Sequence, residues 1–477
     1  SFENELWTYP LEKVWVGLQS IYRQLTKEVE KKYGTSLTTV GSMGISAMMH
    51  GYLPFDKNGE QLVPFRTWRN TTTGIAAETL SELFQFNIPH RWSVAHLYQA
   101  ILDEEEHVGE IDFLTTLAGY VHWRLTGKKV LGVGEASGMF PIDPNTGNYD
   151  SRMMEQFADL IKSNHTGWKL EDILPQVMNA GEQAGTLTME GAQLLDPTGT
   201  LKAGIPFCPP EGDAGTGMVA TNSVKVHTGN VSAGTSIFSM VVLEENLSDY
   251  YTEIDIVTTP TGKPVAMVHC NNFTSDINAW VDLFAEFLET VGIKIQKGEL
   301  FKVLFEQAME ADPDVGGLVA CNYYAGEPIT GFEEGRPLFV RMPDSKLTLP
   351  NFMRAHIFSA LATLKIGMDI LTEEEKVQVD YIMGHGGFFK TEHVGQQLMA
   401  DAITVPVSVM KTAGEGGAWG MALLASFATT KKEGQTLESY LEENVFSSQT
   451  IKTVEPMKEG IEIFANYLER FRSALAI

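Results

Sequence analysis

The feature that most constrains the fold is a change in the rhythm of the chain near Gly204. Upstream, from Thr73 to about Leu125, helical patterns dominate, as in AHLYQAILDEEEHV and LTTLAGYVHWRL. Downstream, short β-rich runs set apart by glycine turns, VKVHTGNVSAGTSIFSMVVL and KPVAMVHC, read as hairpins. Long helical stretches then alternate with short strands to the end: INAWVDLFAEFLETVG, NFMRAHIFSALATLKIGMDIL, VGQQLMADAIT, EGGAWGMALLASFA and PMKEGIEIFANYLERFRSAL. Both halves mix strands and helices, which predicts an α/β architecture in two lobes. Size agrees, because 477 residues are too many for one ordinary core. The division is placed after the turn-forming DPTGT, giving lobes 1–203 and 204–477.

Nearer the start, residues 11–33 carry apolar residues at helical spacing and end in a basic turn. TTVGSMGISAMMHGYLPFD reads as a strand, a glycine break and a second extended run. Residues 134–150, GEASGMFPIDPNTGNYD, are dense in turn formers. No internal repeat of solenoid period is visible.

The net charge of −26, from 61 acids against 35 Lys and Arg, excludes nucleic acid and anionic membranes as main partners, since both need basic surface. It leaves room for a small anion held locally by backbone amides. Cys208, Cys270 and Cys321 are far apart and odd in number, so neither a disulfide framework nor a Cys-x-x-Cys site follows. No apolar signal core opens the sequence, and the longest apolar run noted, WGMALLASFA, is too short to span a bilayer. The expectation is a cytoplasmic protein with no membrane segment.

Four glycine-rich turns stand out. In the first, Gly212-Asp213-Ala214-Gly215 leads into a helical TGMVAT. Asp213 there fits an N-cap, accepting helix amides, and equally a general base at a strand–helix corner. The second, Gly229 to Ser236, is either a plain hairpin turn, for which Gly229-Asn230 is a good dipeptide, or a cradle for an anion. The third, Gly384-His385-Gly386-Gly387, joins a β-rich VDYIM to a helix, where a ligand can lie against backbone. The fourth, Gly414 to Gly420, opens a helix whose small residues suit close helix–sheet packing. There is no P-loop, Gly132, Gly134 and Gly138 miss the dinucleotide pattern by one residue, and no His-Glu-x-x-His occurs. His385 and His393 have no third ligand nearby, so zinc is not expected.

In order along the chain, these pieces resemble the FGGY carbohydrate kinases. Ser46-Ala47-Met48-Met49-His50-Gly51 is similar to the family's S-G-Q-M-H-G, and Trp68-Arg69-Asn70 stands where it has W-x-D-x-R. LTGKKVLGVGEASGMFPID parallels L-T-G…A-S…D; PEGDAGTG resembles the turn bearing the catalytic aspartate, and NVSAGTS the phosphate-contacting G-T-S. GLVACNYYAGEPIT resembles L-x-x-x-P-Y-L-x-G-E-R-x-P, and GHGGFFKTEHVGQQLMAD the adenosine motif that ends Q-x-x-A-D.

The resemblance implies two actin-like (ribonuclease H-like) lobes around a cleft, sugar held mainly by the first and ATP by the second. It implies transfer of the γ-phosphoryl group of ATP to a hydroxyl of a ketopentose or related ketose or polyol, xylulokinase-like, with Mg²⁺ between the phosphates. Asp213 would be the catalytic base and a metal contact. Met49, His50, Gly51, Trp68 and Asn70 would meet the sugar. Gly234, Thr235 and Ser236 would meet the phosphates, and Gly384, Gly386, Gly387 and Gln397 the adenosine. The oligomeric state stays open, with family members often dimers or tetramers and a homodimer among the options. The family normally opens with a β-hairpin bearing D-x-G-T-[ST]-x-x-[KR], absent before Trp7, so the natural chain is expected to be longer at its N terminus. Met48 replaces the family's Gln, and Asn70-Thr71-Thr72 its acid and Arg, which makes the sugar contacts unusual. A catalytically silent sugar- or nucleotide-binding regulator is the alternative; an actin-like ATPase is disfavoured because it needs no Met-His-Gly segment.

Overall fold

The computed structural model describes residues 2–3, 6–164, 166–391, 393–410 and 416–476. Gly414 and Glu415, in the fourth glycine-rich turn, lie outside the described residues.

The expected first helix spans Leu11–Tyr33 and stops at Gly34, whose left-handed backbone (φ 65°) turns its N–H back onto the Glu30 carbonyl. It lies on the outside of the first lobe, burying only Trp15 and Tyr22 along its length. Trp15 Nε1 donates to the Tyr120 hydroxyl at 2.9 Å. The next run forms strands Ser46–Ala47 and Leu53–Phe55, with the glycine break between them. Helices Gly74–Phe84, Ser93–Leu102 and Leu117–Thr126 follow. Of the stretch read as turn, 137–139 and 144–147 are so. The second of these joins strands Ile142–Asp143 and Asn148–Tyr149, and the helix Val133–Ala136 precedes them.

The chain remains with these first-lobe strands beyond the expected division after 203. Glu211–Gly212 pairs in parallel with Ser46–Ala47. The helix Asp213–Ala220 follows at once.

A seven-stranded sheet forms the second lobe. Its order is Ile254–Thr258, Pro264–Cys270, Ile237–Val242, Thr228–Ala233, Tyr381–His385, Val407–Met410, Ile451–Val454. The three central strands from Thr228–Ala233 to Val407–Met410 run parallel, and the outer pairings are antiparallel. Both faces are buried, so alternate residues feed different cores. Ile237 and Val241 pack with the helix Leu349–Asp369, while Met240 and Val242 join a core continuous with the first lobe. The hairpin turn is 234–236, not Gly229-Asn230; those two sit inside the strand, where Gly229 allows the Met240 carbonyl to come within 2.3 Å of where a Cβ would be.

One helix among the described residues, Leu349–Glu374, is long and apolar enough to cross a membrane, which the sequence reading overlooked. Because 72% of its apolar window is buried in the fold, it is a core helix. The helix Gly416–Thr430 packs chiefly on another helix, Asp213–Ala220, and less extensively on the sheet expected of it, at the strand Ser46–Ala47. A Cβ at Gly420 would fall 1.9 Å from the Thr216 carbonyl oxygen, so only glycine permits this approach.

Candidate active site

Asp213 is the first residue of its helix, and Gly212, in extended conformation, is the cap. The residue keeps an exposed edge, while one oxygen of its carboxylate accepts two backbone N–H groups, from Met49 at 3.2 Å and Ala214 at 3.1 Å. The Ala214 bond gives it part of a helix-end role. The Met49 bond bridges 164 residues of sequence and ties it to the Met-His-Gly segment. Desolvation by the surrounding walls pushes its carboxyl above the usual range, against those donations.

His50 adopts a left-handed backbone (φ 69°), and Gly51 follows at φ 99° with the Arg66 carbonyl and the Phe65 ring where a Cβ would project. The two turns swing the imidazole inward against Trp92, where it is buried and stacked. Its Nδ1 lies 3.2 Å from the Gly138 carbonyl. A carbonyl only accepts, so Nδ1 carries the proton and Nε2 is the acceptor. Burial and the Arg91 guanidinium hold the ring neutral, well below the ordinary histidine range. Such a nitrogen can receive a hydroxyl proton in a hydrogen bond.

The second group of residues stands at the carboxyl end of the parallel strands. The tip Gly234, Thr235 and Ser236 is fastened from behind: Phe273 and Thr274 N–H donate to the Thr235 carbonyl, and the Thr274 hydroxyl to Gly234 O at 2.7 Å. Gly234 and Thr235 themselves are exposed. Gly386 (φ 108°) presses against the neighbouring strand, with Ala233 O 2.3 Å from where its Cβ would be, while Gly387 has open space before it. The Phe389 ring fills the place of a Gly384 side chain. Two bare-backbone turns thus lie side by side, fit for a ligand rich in acceptor oxygens.

Two expected site residues, Asn70 and Gln397, have their amides engaged by other backbone, and Trp68 stays open. Asn70 is buried, with its amide donating to Trp7 O and Thr67 O and accepting from Trp7 N–H, which fastens the loop to the N-terminal segment. Trp68 is 42% exposed with the Arg69 guanidinium over its ring. Gln397 donates to Asp401 and to the Glu455 carbonyl, pinning the helix Val394–Ile403 to the last strand region.

Sequence reasoning missed four groups. Arg91 lies within electrostatic reach of His50 and of His269, which burial and Arg91 push down to about 4. Arg91 also pairs across the lobes with Asp255, to which Asn87 donates at 2.9 Å. Glu135 and Glu211 lie buried behind Asp213, and burial raises both, Glu211 to about 8. Glu327, inside one of the quoted motifs but given no role there, accepts the Asn272 backbone and side-chain N–H groups at 3.1 Å. It thereby buttresses the 271–274 loop behind the hairpin tip. Glu135 and Glu211 also stand inside quoted motifs, but nothing local marks any of the four for these roles.

Glu327 carries a prediction. Burial raises its carboxyl from 4.5 to about 7, and one of its oxygens has no partner. The folded state therefore binds a proton that the unfolded state releases. Its stabilisation is present below the unfolded value and lost as pH rises through the folded one. The denaturant midpoint is expected to fall between about pH 4.5 and 7, and Glu327→Gln to shrink that fall. An unchanged difference in the variant would remove Glu327 as its source.

The comparisons decide the family. The profile of the FGGY family of carbohydrate kinases, N-terminal domain, matches residues 9–220, and that of its C-terminal domain residues 229–429. The chain belongs to the FGGY family. It is 22% identical over 474 residues to a xylulose kinase of Haemophilus influenzae, covering 96% of this chain and 90% of that protein. A ligand-bound xylulose kinase structure from Lactobacillus acidophilus superposes with a TM-score of 0.78 at 18% identity, over 100% of this chain and 91% of that one. A glycerol kinase from Plasmodium falciparum with ADP gives 0.76 at 14%, with the same coverage. The two lobes are therefore the actin-like, ribonuclease H-like pair of FGGY kinases. FGGY members are phosphotransferases with an alcohol acceptor and use ATP as substrate.

Proposed function

We propose that this FGGY kinase phosphorylates a ketopentose or a closely related ketose, xylulokinase-like, with Asp213 as the base. The observation that carries the reading is the bond from Met49 N–H to Asp213, which ties this carboxylate to the residue next to a neutral histidine whose Nδ1 is taken up by Gly138, leaving Nε2 as the acceptor. Asp213 would take the proton of the attacking hydroxyl, and His50 Nε2 would orient a neighbouring hydroxyl. Met49 contributes its backbone amide, and Gly51 the turn that aims His50. Gly234, Thr235 and Ser236 offer amides and hydroxyls to the phosphates, and Gly386 and Gly387 an open surface for the nucleoside. In this assignment Gln397 and Asn70 hold the site's frame, and the lobes divide between residues 220 and 228.

Among the described residues no group of three His, Cys, Asp or Glu side chains could hold a metal by itself. A Mg²⁺ carried on ATP phosphates asks for only one or two carboxylates, and the exposed Asp213 fits that demand. When bound, the ion would neutralise charge on the phosphates.

The test is ADP release across a panel of ketopentoses, deoxyketoses, ketohexoses, gluconate and glycerol, using the full natural chain. Stimulation by a ketopentose above the others is expected. Stimulation by glycerol or gluconate alone would overturn the acceptor assignment, and stimulation by none would favour a silent regulatory relative.

A further inference from the structure

Two acids behind the base take no part in that chemistry as described. Glu211, two residues before Asp213, is 2% exposed and accepts the Gly134 N–H at 3.3 Å and the Glu135 N–H at 2.9 Å, one on each oxygen. Its carboxyl fills the space where side chains at Gly132 and Gly134 would project, 2.2 and 2.5 Å from the two Cβ positions. Glu135 is wholly buried, with Oε2 2.3 Å from the Cβ position of Gly212. Neither of its oxygens meets a donor in good geometry, with only the Thr116 hydroxyl near enough to draw its carboxyl down. Each acid thus sits against the bare glycine backbone of the other's segment.

This arrangement closes a circuit. From Glu135 the chain runs to Gly138, whose carbonyl receives His50 Nδ1–H. From His50 it is one residue back to Met49, whose amide holds Asp213. From Asp213 it is two residues back to Glu211, which holds the Glu135 amide. The base, the acceptor-orienting histidine and the helix Val133–Ala136 are therefore fixed to one another through Glu211. Burying two carboxyls is costly, and a costly device so near a reacting group needs a return beyond packing.

We propose that Glu211 is a positioning residue for Asp213, with Glu135 filling the complementary gap, so that base and His50 keep their mutual distance during phosphoryl transfer. The inference rests on the reading of Asp213 as the base. Glu211 is buried and touches no substrate.

Glu211→Gln keeps the volume but breaks the two-point seat. Its amide oxygen can accept one N–H, while its NH₂ faces the other donor. Since small misplacements of reacting groups are expensive, kcat is expected to fall roughly 10- to 100-fold, with the sugar KM changed by less than about threefold. Gly134→Ala displaces the same carboxyl from the opposite side and should give the same kcat-selective loss.

Sugar-stimulated turnover by the unaltered chain, with kcat unchanged in Glu211→Gln, would overturn the positioning role alone. Proportional changes in kcat and KM would do the same, as would loss of the folded state in both Glu211→Gln and Gly134→Ala. Absence of turnover in the unaltered chain would overturn the proposed function together with this inference.

Discussion

Replacing Asp213 by Asn is expected to lower kcat for sugar phosphorylation by about 10²- to 10⁴-fold, the range that a positioned general base supplies. Sugar affinity should change by no more than about threefold, because the loss falls on an interaction formed with the migrating proton. The substitution is informative because its geometry is conservative. The amide oxygen can still accept the Met49 N–H that the carboxylate accepts at 3.2 Å, so the tie to the Met-His-Gly segment survives. What disappears is the affinity for a proton. ADP release measured beside calorimetric sugar binding separates the two quantities. Full turnover in the variant would return Asp213 to the helix-end role that its bond to Ala214 also supports.

Gly420→Ala is the second large expectation, on stability as well as rate. The new methyl would lie 1.9 Å from the Thr216 carbonyl oxygen and 2.7 Å from its carbon. Both are backbone atoms inside a helix and cannot rotate aside, so Gly416–Thr430 must move off Asp213–Ala220. Overpacking of this kind costs about 1–3 kcal/mol, and backbone contact places this case at the upper end. Because the helix it is pushed from begins with Asp213, kcat should fall with stability; a shift of about 1 Å can cost on the order of 100-fold in rate. Gly417→Ala provides the scale. Its Cβ would meet the Thr216 hydroxyl at 2.9 Å, a side-chain atom that can turn away, so a smaller loss is expected. Denaturant midpoints and kcat for the two variants test this, and equal behaviour would show that the helix contact is looser than the backbone distances imply.

Much of the element order was legible locally. The apolar spacing of 11–33 and the glycine that stops it reproduce Leu11–Tyr33 and its left-handed cap. The runs flanking the small-residue turn do form a hairpin. Errors arose where one residue type serves two purposes. Gly229 resembles a turn residue but is needed for the close approach of a neighbouring strand. The apolar length of Leu349–Glu374 would suit a membrane, yet it reflects burial against a sheet far away in sequence. The site was legible as motifs and only partly as contacts. Asn70 and Gln397 occupy motif positions, yet their amides are consumed by the backbone of Trp7 and Glu455, 63 and 58 residues distant.

By itself the sequence determined the α/β alternation, the family and the turns that carry small residues, because these follow from spacing and backbone freedom within a few residues. Only the tertiary structure decided what those turns do. It put the Asp213 carboxylate on the amide of residue 49, made His50 a neutral acceptor through Gly138 and Arg91, and set Glu211 against the glycines at 132 and 134. A carboxylate or an imidazole takes its chemistry from the donors, charges and solvent around it. Here those neighbours arrive from segments some 40 to 160 residues away, at separations where local propensity carries no information.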